Sequence, residues 1–298
     1  MSTYGSATAS GALARTAQRR RRLRPLATVG NGAIYLVLVA FTVVVAYPLV
    51  AVLFGSFKGT YDFYANPWGL PKVWNLDNYA YAWSQAQIPQ FFINSLIVAA
   101  GTVLLTLVLS SAAAYGFSTF HFRGERLLFL TFVLLLIVPV PINIIPLYVI
   151  IVRLHLVDTY FALILPYTAG GLPLSIFLLR AFFQSIPQEL TDAARIDGCT
   201  HLTAFLRIIL PISKPGLATV TILAFIGSWN EFFLALIFIR NPNLMTLPLG
   251  LQNFFYNYRT DWIHLFAALT MSIVPIIVVY AAMQRQFIAG LTAGAVRG

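Results

Sequence analysis

Six stretches of this chain, at about 33–57, 92–117, 127–152, 158–183, 217–239 and 263–287, are apolar over the length a helix needs to cross a hydrocarbon core, about 20 residues. Inside a bilayer no water is available to satisfy backbone N–H and C=O groups, so runs of this kind fold as helices that satisfy themselves. The chain is therefore expected to be an all-α membrane protein with about six transmembrane helices. Its charged fraction agrees, at 9% with 59% of residues apolar, against about 25% charged in a soluble domain. Charges then mark the parts that meet water. One irregularity is expected within the third run and its border with the fourth, where VPVPINIIP (138–146) carries three prolines that should bend or break the helix. Asn143 beside that kink is a candidate pathway residue.

Several chemistries are excluded. The single cysteine, Cys199, forms no internal disulfide, and His121, His155, His201 and His264 are too scattered for an HExxH metal site. The only lysines, Lys58, Lys72 and Lys214, stand in no Gly-Lys-Ser/Thr context, so the chain holds no phosphate-binding P-loop. A net charge of +10 raises the question of nucleic acid, but the arginines sit at the ends of apolar runs rather than on an aromatic-interleaved face. Membrane topology accounts for them.

With the N-terminus in the cytoplasm, fourteen of the nineteen Lys and Arg fall inside and five (Lys58, Lys72, Arg153, Arg240, Arg259) outside. That is the sense of the positive-inside rule, and it makes both termini cytoplasmic. Residues 1–28, Ser/Ala/Gly-rich and then basic from Arg15 to Arg24, read as a disordered tail anchored on anionic lipid. A cleaved signal peptide fits less well, because the first apolar run is full length. The rest, 29–298, reads as one transmembrane domain. Two outer segments, 58–91 and 240–262, are dense in Tyr, Trp, Phe, Pro and Asn, more than an interfacial belt needs. Aromatic-rich loops of this kind suit a partner or a sugar.

The stretch ELTDAARIDGCTHLTAFLRIILP (189–211) holds five charges, Glu189, Asp192, Arg195, Asp197 and Arg207, in an otherwise apolar chain. By the topology above, 184–216 is cytoplasmic. Ser185 and Gln188 have capping-box spacing, Pro187 suits a first turn, and Gly198 is a natural left-handed stop. A second helix starts near Thr200, with Leu202, Phe205, Leu206 and Ile209 on one stripe as far as Pro211. The reading is helix, turn, helix. Lying flat on lipid is disfavoured for the first helix by three carboxylates against one arginine, since the inner leaflet is negative. Ala193, Ala194 and Gly198 instead form a small-residue patch ringed by charge, suited to a protein partner.

At these residues the chain resembles the inner-membrane permease subunits of ATP-binding-cassette importers, specifically the maltose-type carbohydrate uptake permeases. Asp192, Ala193, Ala194, Asp197, Gly198 and Ile209 to Pro211 match the family's EAA loop, and NSLIVAAGTVLLTLVLSSAAAYGFS, LILPYTAGGLPLSIFLLRAFF, GSWNEFF and GLTAGAVRG look like the same family. Asp192 stands where the family usually has Glu, and Cys199 where it usually has Ala. The resemblance implies a type I importer permease fold whose coupling helix, with Glu189, Asp192, Ala193, Ala194, Arg195, Asp197 and Gly198, seats in a cytoplasmic ATPase. It also implies a second permease subunit, an ATPase dimer that carries the ATP and Mg, and an extracytoplasmic solute-binding protein docking on the outer loops, particularly 240–262. No cofactor is expected on this chain, no catalytic residue and no nucleic-acid partner.

Among the nine acidic residues only Glu231 lies inside an expected span. An intramembrane ionisable group is a functional candidate by default, against the plainer reading of a structural hydrogen bond. Because the family has a similar Trp-Asn-acidic cluster, Trp229, Asn230 and Glu231 are candidate pathway or gate residues. An autonomous ion-coupled secondary transporter is the alternative, but it would normally show inverted repeats and several titratable intramembrane groups. A membrane enzyme would need a convergent set of acid, base or metal-binding residues, which the sequence lacks.

Overall fold

The computed structural model describes residues 34–256 and 259–295. The expected basic tail (1–28) and Arg297 lie outside the described residues. Among the described residues four helices are long and apolar enough to cross a membrane: α1 (Ile34–Gly55), then, further along, 88–119, 161–183 and 262–288. The first is apolar on every side and exposed along nearly its whole length, the signature of a helix that faces lipid or another protein. Beyond it, Lys58 is fully buried and donates from Nζ to the carbonyls of Asn66 (2.6 Å) and Pro67 (3.2 Å). Two short helices follow, α2 (Thr60–Ala65) and α3 (Asp77–Ser84). Asn78 on α3 holds the chain by donating to the carbonyls of Ser56 (2.7 Å) and Lys58 (2.9 Å).

The centre is α4 (Ile88–Thr119), which packs against α7 (Phe161–Phe183). Pro166 and Pro173 lie within α7 without ending it. Between these two, the expected third span is divided. It forms α5 (Glu125–Leu135), a 3₁₀ turn (Val140–Asn143) and α6 (Ile144–Arg153). At about 1.5 Å per residue neither half reaches across a bilayer alone. Pro139 and Pro141 supply the reason, each removing an amide donor where the ladder would run on, whereas Pro146 sits in the first turn of α6, where none is needed.

After α7 the chain forms α8 (Gln188–Ile196) and α9 (His201–Ile212), and α9 meets α10 (Lys214–Trp229) at a bend of 77°. The expected stop at Pro211 holds to within a residue, since the helix ends at Ile212. Helix α9 contains a π-turn over Phe205–Ile209, just before Pro211, and the bend falls at Ser213. The fifth expected span is also broken, because α10 ends at Trp229 and a separate α11 (Phe233–Phe238) completes the run. The chain then folds through α12 (Leu247–Gly250) and a two-residue antiparallel ribbon, Phe255 opposite Thr260 and Tyr256 opposite Arg259, into the long α13 (Trp262–Ala295).

Counted strictly among the described residues, the spans are four, or five if α9 and α10 are one. The helical architecture is as expected, with interruptions at residues the sequence marks by proline or by polar groups. Packing is close where it matters: a Cβ added at Gly216, at the start of α10, would come within 2.9 Å of the Phe182 ring. Small residues at such crossings let helices approach in an apolar medium, where association depends on contact rather than on the hydrophobic effect.

Candidate functional site

The charged loop between α7 and α10 has a defined shape. Ser185 does not form the expected capping box; its hydroxyl donates back to the Phe182 carbonyl at 2.6 Å and so closes α7. Helix α8 starts instead at a turn imposed by Pro187, whose ψ of 132° is non-helical. Its far end is a Schellman motif. Cys199 N donates to Ala194 O (2.9 Å) and Gly198 N to Arg195 O (3.1 Å), with Gly198 at φ +81°. Thr200 then caps α9, its hydroxyl oxygen accepting from Thr203 N at 3.2 Å.

Glu189 in the first turn of α8 and Arg195 in the last each complement the helix dipole. Glu189, Asp192, Ala193, Arg195, Asp197 and Gly198 are exposed, and none of the four charged side chains forms an ion pair among the described residues. Ala194 is the exception, buried at 5%, so the small-residue patch is split between an inner and an outer face. Beside the charges Ile196 is 87% exposed, an apolar side chain for which the loop itself offers no cover. Behind it, Phe205 and Ile209 of α9 are buried with Tyr115, Leu179 and Phe183, while Leu202 and Leu206 of the expected stripe face outward.

The second candidate region is the gap between α10 and α11. Glu231 accepts from Leu234 N (2.8 Å) and Ala235 N (3.3 Å), so its carboxylate caps the free amides that open α11. Tyr167 on α7 donates its hydroxyl to Glu231 Oε2 at 2.6 Å. Trp229 is buried, stacks on Phe225 and donates from Nε1 to Ser272 O (3.2 Å), a position in the packed interior. Asn230 is exposed, with its side chain turned back to Ile226 O (3.1 Å). Asn143 is exposed at the start of α6 and makes no cap there. The three consecutive residues 229–231 thus point three ways, and Asn143 stands on another element.

Two groups that sequence reasoning passed over organise the segment 240–256. Asn94, fully buried on α4, donates to the carbonyls of Asn243 (2.8 Å) and Met245 (2.9 Å) and accepts from Tyr160 (2.8 Å). Ser95 next to it accepts from Leu247 N (2.7 Å). Leu247, Leu249 and Phe254 are buried as a result, so this segment dips into the protein rather than standing out as a loop. The exposed aromatics concentrate in 58–91, with Tyr61 85%, Trp68 73% and Trp83 61% exposed. A signal for Asn94 existed, as an amide inside a long apolar run. Among the described residues no group of three or more His, Cys, Asp or Glu could hold a metal ion.

Comparison with known proteins agrees with this arrangement. The chain is 41% identical over 270 residues to the probable ABC transporter permease protein YurM of Bacillus subtilis strain 168, covering 91% of this chain and 90% of that one. It is 33% identical over 281 residues to the arabinooligosaccharides transport system permease protein AraQ of the same organism, covering 93% and 99%. The diacetylchitobiose uptake system permease protein NgcG of Streptomyces coelicolor is 35% identical over 262 residues, 87% of each chain. In fold, the chain is similar to one from the crystal structure of a bacterial ABC transporter involved in the import of the acidic polysaccharide alginate, with a TM-score of 0.75, 21% identity and coverage of 96% and 100%. Residues 106–292, more than half of the chain and including the charged loop and the Glu231 gap, match the model of the binding-protein-dependent transport system inner membrane component, and the chain belongs to that family of ABC importer permeases.

Proposed function

We propose that this permease carries a sugar, oligosaccharide or polyol inward, paired with a second permease subunit and driven by an ABC ATPase dimer. ATP and Mg are held by that ATPase, and this chain binds no cofactor. Solute arrives on an extracytoplasmic binding protein. Relatives named for arabinooligosaccharide and diacetylchitobiose uptake support the substrate class. Orientation in the inner membrane follows the arginine count, with both termini and the charged loop cytoplasmic.

The observation that carries the reading is α8. It is a short helix fixed at one end by Pro187 and at the other by a Schellman turn, presenting Glu189, Asp192, Arg195 and Asp197 unpaired beside exposed Ile196. Nine residues of helix are marginal alone in water, so such an element is held by neighbours. A groove on the ATPase would supply them. Nucleotide-driven closure of the ATPase dimer would then displace α8 and α9 together and bias the bundle between two states.

The exposed aromatics of 58–91 and the tip around Phe255 and Trp262 are the surface we assign to the binding protein. An ion-coupled transporter is not favoured, because the family is that of binding-protein-dependent importers and Glu231 is engaged by two amides and a tyrosine. The testing experiment is uptake of candidate sugars into proteoliposomes holding the co-purified complex, with and without ATP and binding protein. Uptake that needs both is expected. Uptake by the lone chain without ATP would overturn the proposal.

A further inference from the structure

One end of the bundle is held by a junction that the charged loop does not itself contain. Arg180 stands in the last turn of α7, a few residues before α8. Its NH2 group donates to Glu125 Oε1 at 3.0 Å, its Nε donates to the Phe117 carbonyl at 3.2 Å, and its guanidinium carbon lies 3.9 Å over the Phe129 ring. Both charged side chains are largely shielded, 19% and 14% exposed. One guanidinium therefore touches the end of α4, the start of α5 and the body of α5. A planar, always charged fork is suited to this combination of carboxylate, carbonyl and ring face, and a lysine is not.

Across the same end, Tyr115 of α4 donates its hydroxyl to the His201 carbonyl (3.3 Å) and packs its ring on Phe205 (centroids 4.7 Å apart). Phe120 meets the His201 ring at 4.9 Å. The loop is thus rooted twice on α4: α7 is tied to it through Arg180, and α9 through Tyr115. Helix α5 differs. Its ring contacts with neighbours at this end are Phe129 against Phe177 and Phe117 against Phe129 and Phe132. Among the described residues, Arg180 to Glu125 is the one side-chain hydrogen bond α5 makes to another helix. Ring contacts of this kind allow sliding, whereas the ion pair fixes direction.

We infer that Arg180 and Glu125 form the latch that makes α5, and with it the proline-broken run to Arg153, follow the charged loop when that loop is displaced. Both are positioning residues for transport and touch no solute. The inference rests on the proposed coupling role of α8. Without the latch the loop still seats on its ATPase and still moves with α4 and α7, but α5 lags, and ATP is hydrolysed with less solute moved.

The test uses the complex co-purified through a tag on this chain, reconstituted in proteoliposomes, with solute uptake and ATP hydrolysis measured on the same preparation. Arg180→Glu and Glu125→Arg singly should retain the ATPase in the purification yet lower solute moved per ATP by about tenfold, the size of an ordinary coupling between sites. The double exchange should recover part of that ratio, and Arg180→Lys should fall between wild type and Arg180→Glu. Should a charge-reversed chain fail to insert, Glu125→Gln, which removes the charge and keeps an acceptor, should still lower the ratio. A wild-type ratio in Glu125→Gln, or in both single exchanges, would overturn the latch. Absence of any ATPase from the wild-type purification would instead overturn the function proposed above.

Discussion

The Tyr167 hydroxyl lies 2.6 Å from Glu231 Oε2 and joins α7 to the gap between α10 and α11. That contact changes what Glu231 means. A lone carboxylate in an apolar span reads as an ion or proton site, but this one is committed to a helix start and a neighbouring helix. At this interruption, next to exposed Asn230, it has a structural task.

Glu231→Ala should therefore destabilise the gap by the cost of a lost helix cap, about 0.5–2 kcal/mol. Glu231→Gln, which still accepts from Leu234 N, should cost less. Thermal unfolding of the detergent-purified protein orders the variants. Equal stability of Ala and wild type would remove the capping role.

Asn94→Ala should leave the Met245 carbonyl and the Tyr160 hydroxyl without their partner, and the Asn243 carbonyl with only the 3.2 Å bond from Gln90 Nε2, at about 1–3 kcal/mol for buried groups. The effect should be local. Hydrogen exchange over 240–256 should quicken while α4 and α7 stay protected, and unchanged exchange there would contradict the anchoring role.

Gly198→Val should strain a residue at φ +81° by about 1–3 kcal/mol and unwind the Schellman end of α8. The chain should still insert, since its apolar packing is untouched, but uptake should fall. A valine variant that transports normally would show that the shape of the loop does not matter.

Trp83→Ala and Tyr61→Ala remove exposed rings that make no aromatic pair among the described residues. Membrane level and ATPase association should not change, whereas affinity for the binding protein should fall about tenfold or more if these are anchor residues. Titration of the binding protein against the reconstituted complex measures it.

How much of this was legible in the sequence differs by element. Long apolar runs gave α1, α4, α7 and α13 closely, because span length in lipid is a strong constraint. Left-handed Gly198 and the Thr200 cap were readable from residue type alone. Capping by Ser185 was not, since a hydroxyl between two helices can serve either, and it turned back to Phe182. Pro211 marked the end of α9 to within a residue, but the π-turn over Phe205–Ile209 before it left no mark in the residue pattern. Arg180 and Glu125 were visible only as charges at span ends, and their pairing is a tertiary fact that residue spacing cannot encode.

The most direct measurement is mild-detergent affinity purification of the tagged chain from its native cells, wild type beside Asp192→Arg, with the accompanying proteins identified by mass spectrometry. The account predicts that an ABC ATPase and a second multi-span chain accompany the wild type and that the ATPase is lost from Asp192→Arg while the chain itself remains in the membrane. Retention of the ATPase at wild-type stoichiometry by Asp192→Arg would contradict the claim that α8 is where the ATPase seats.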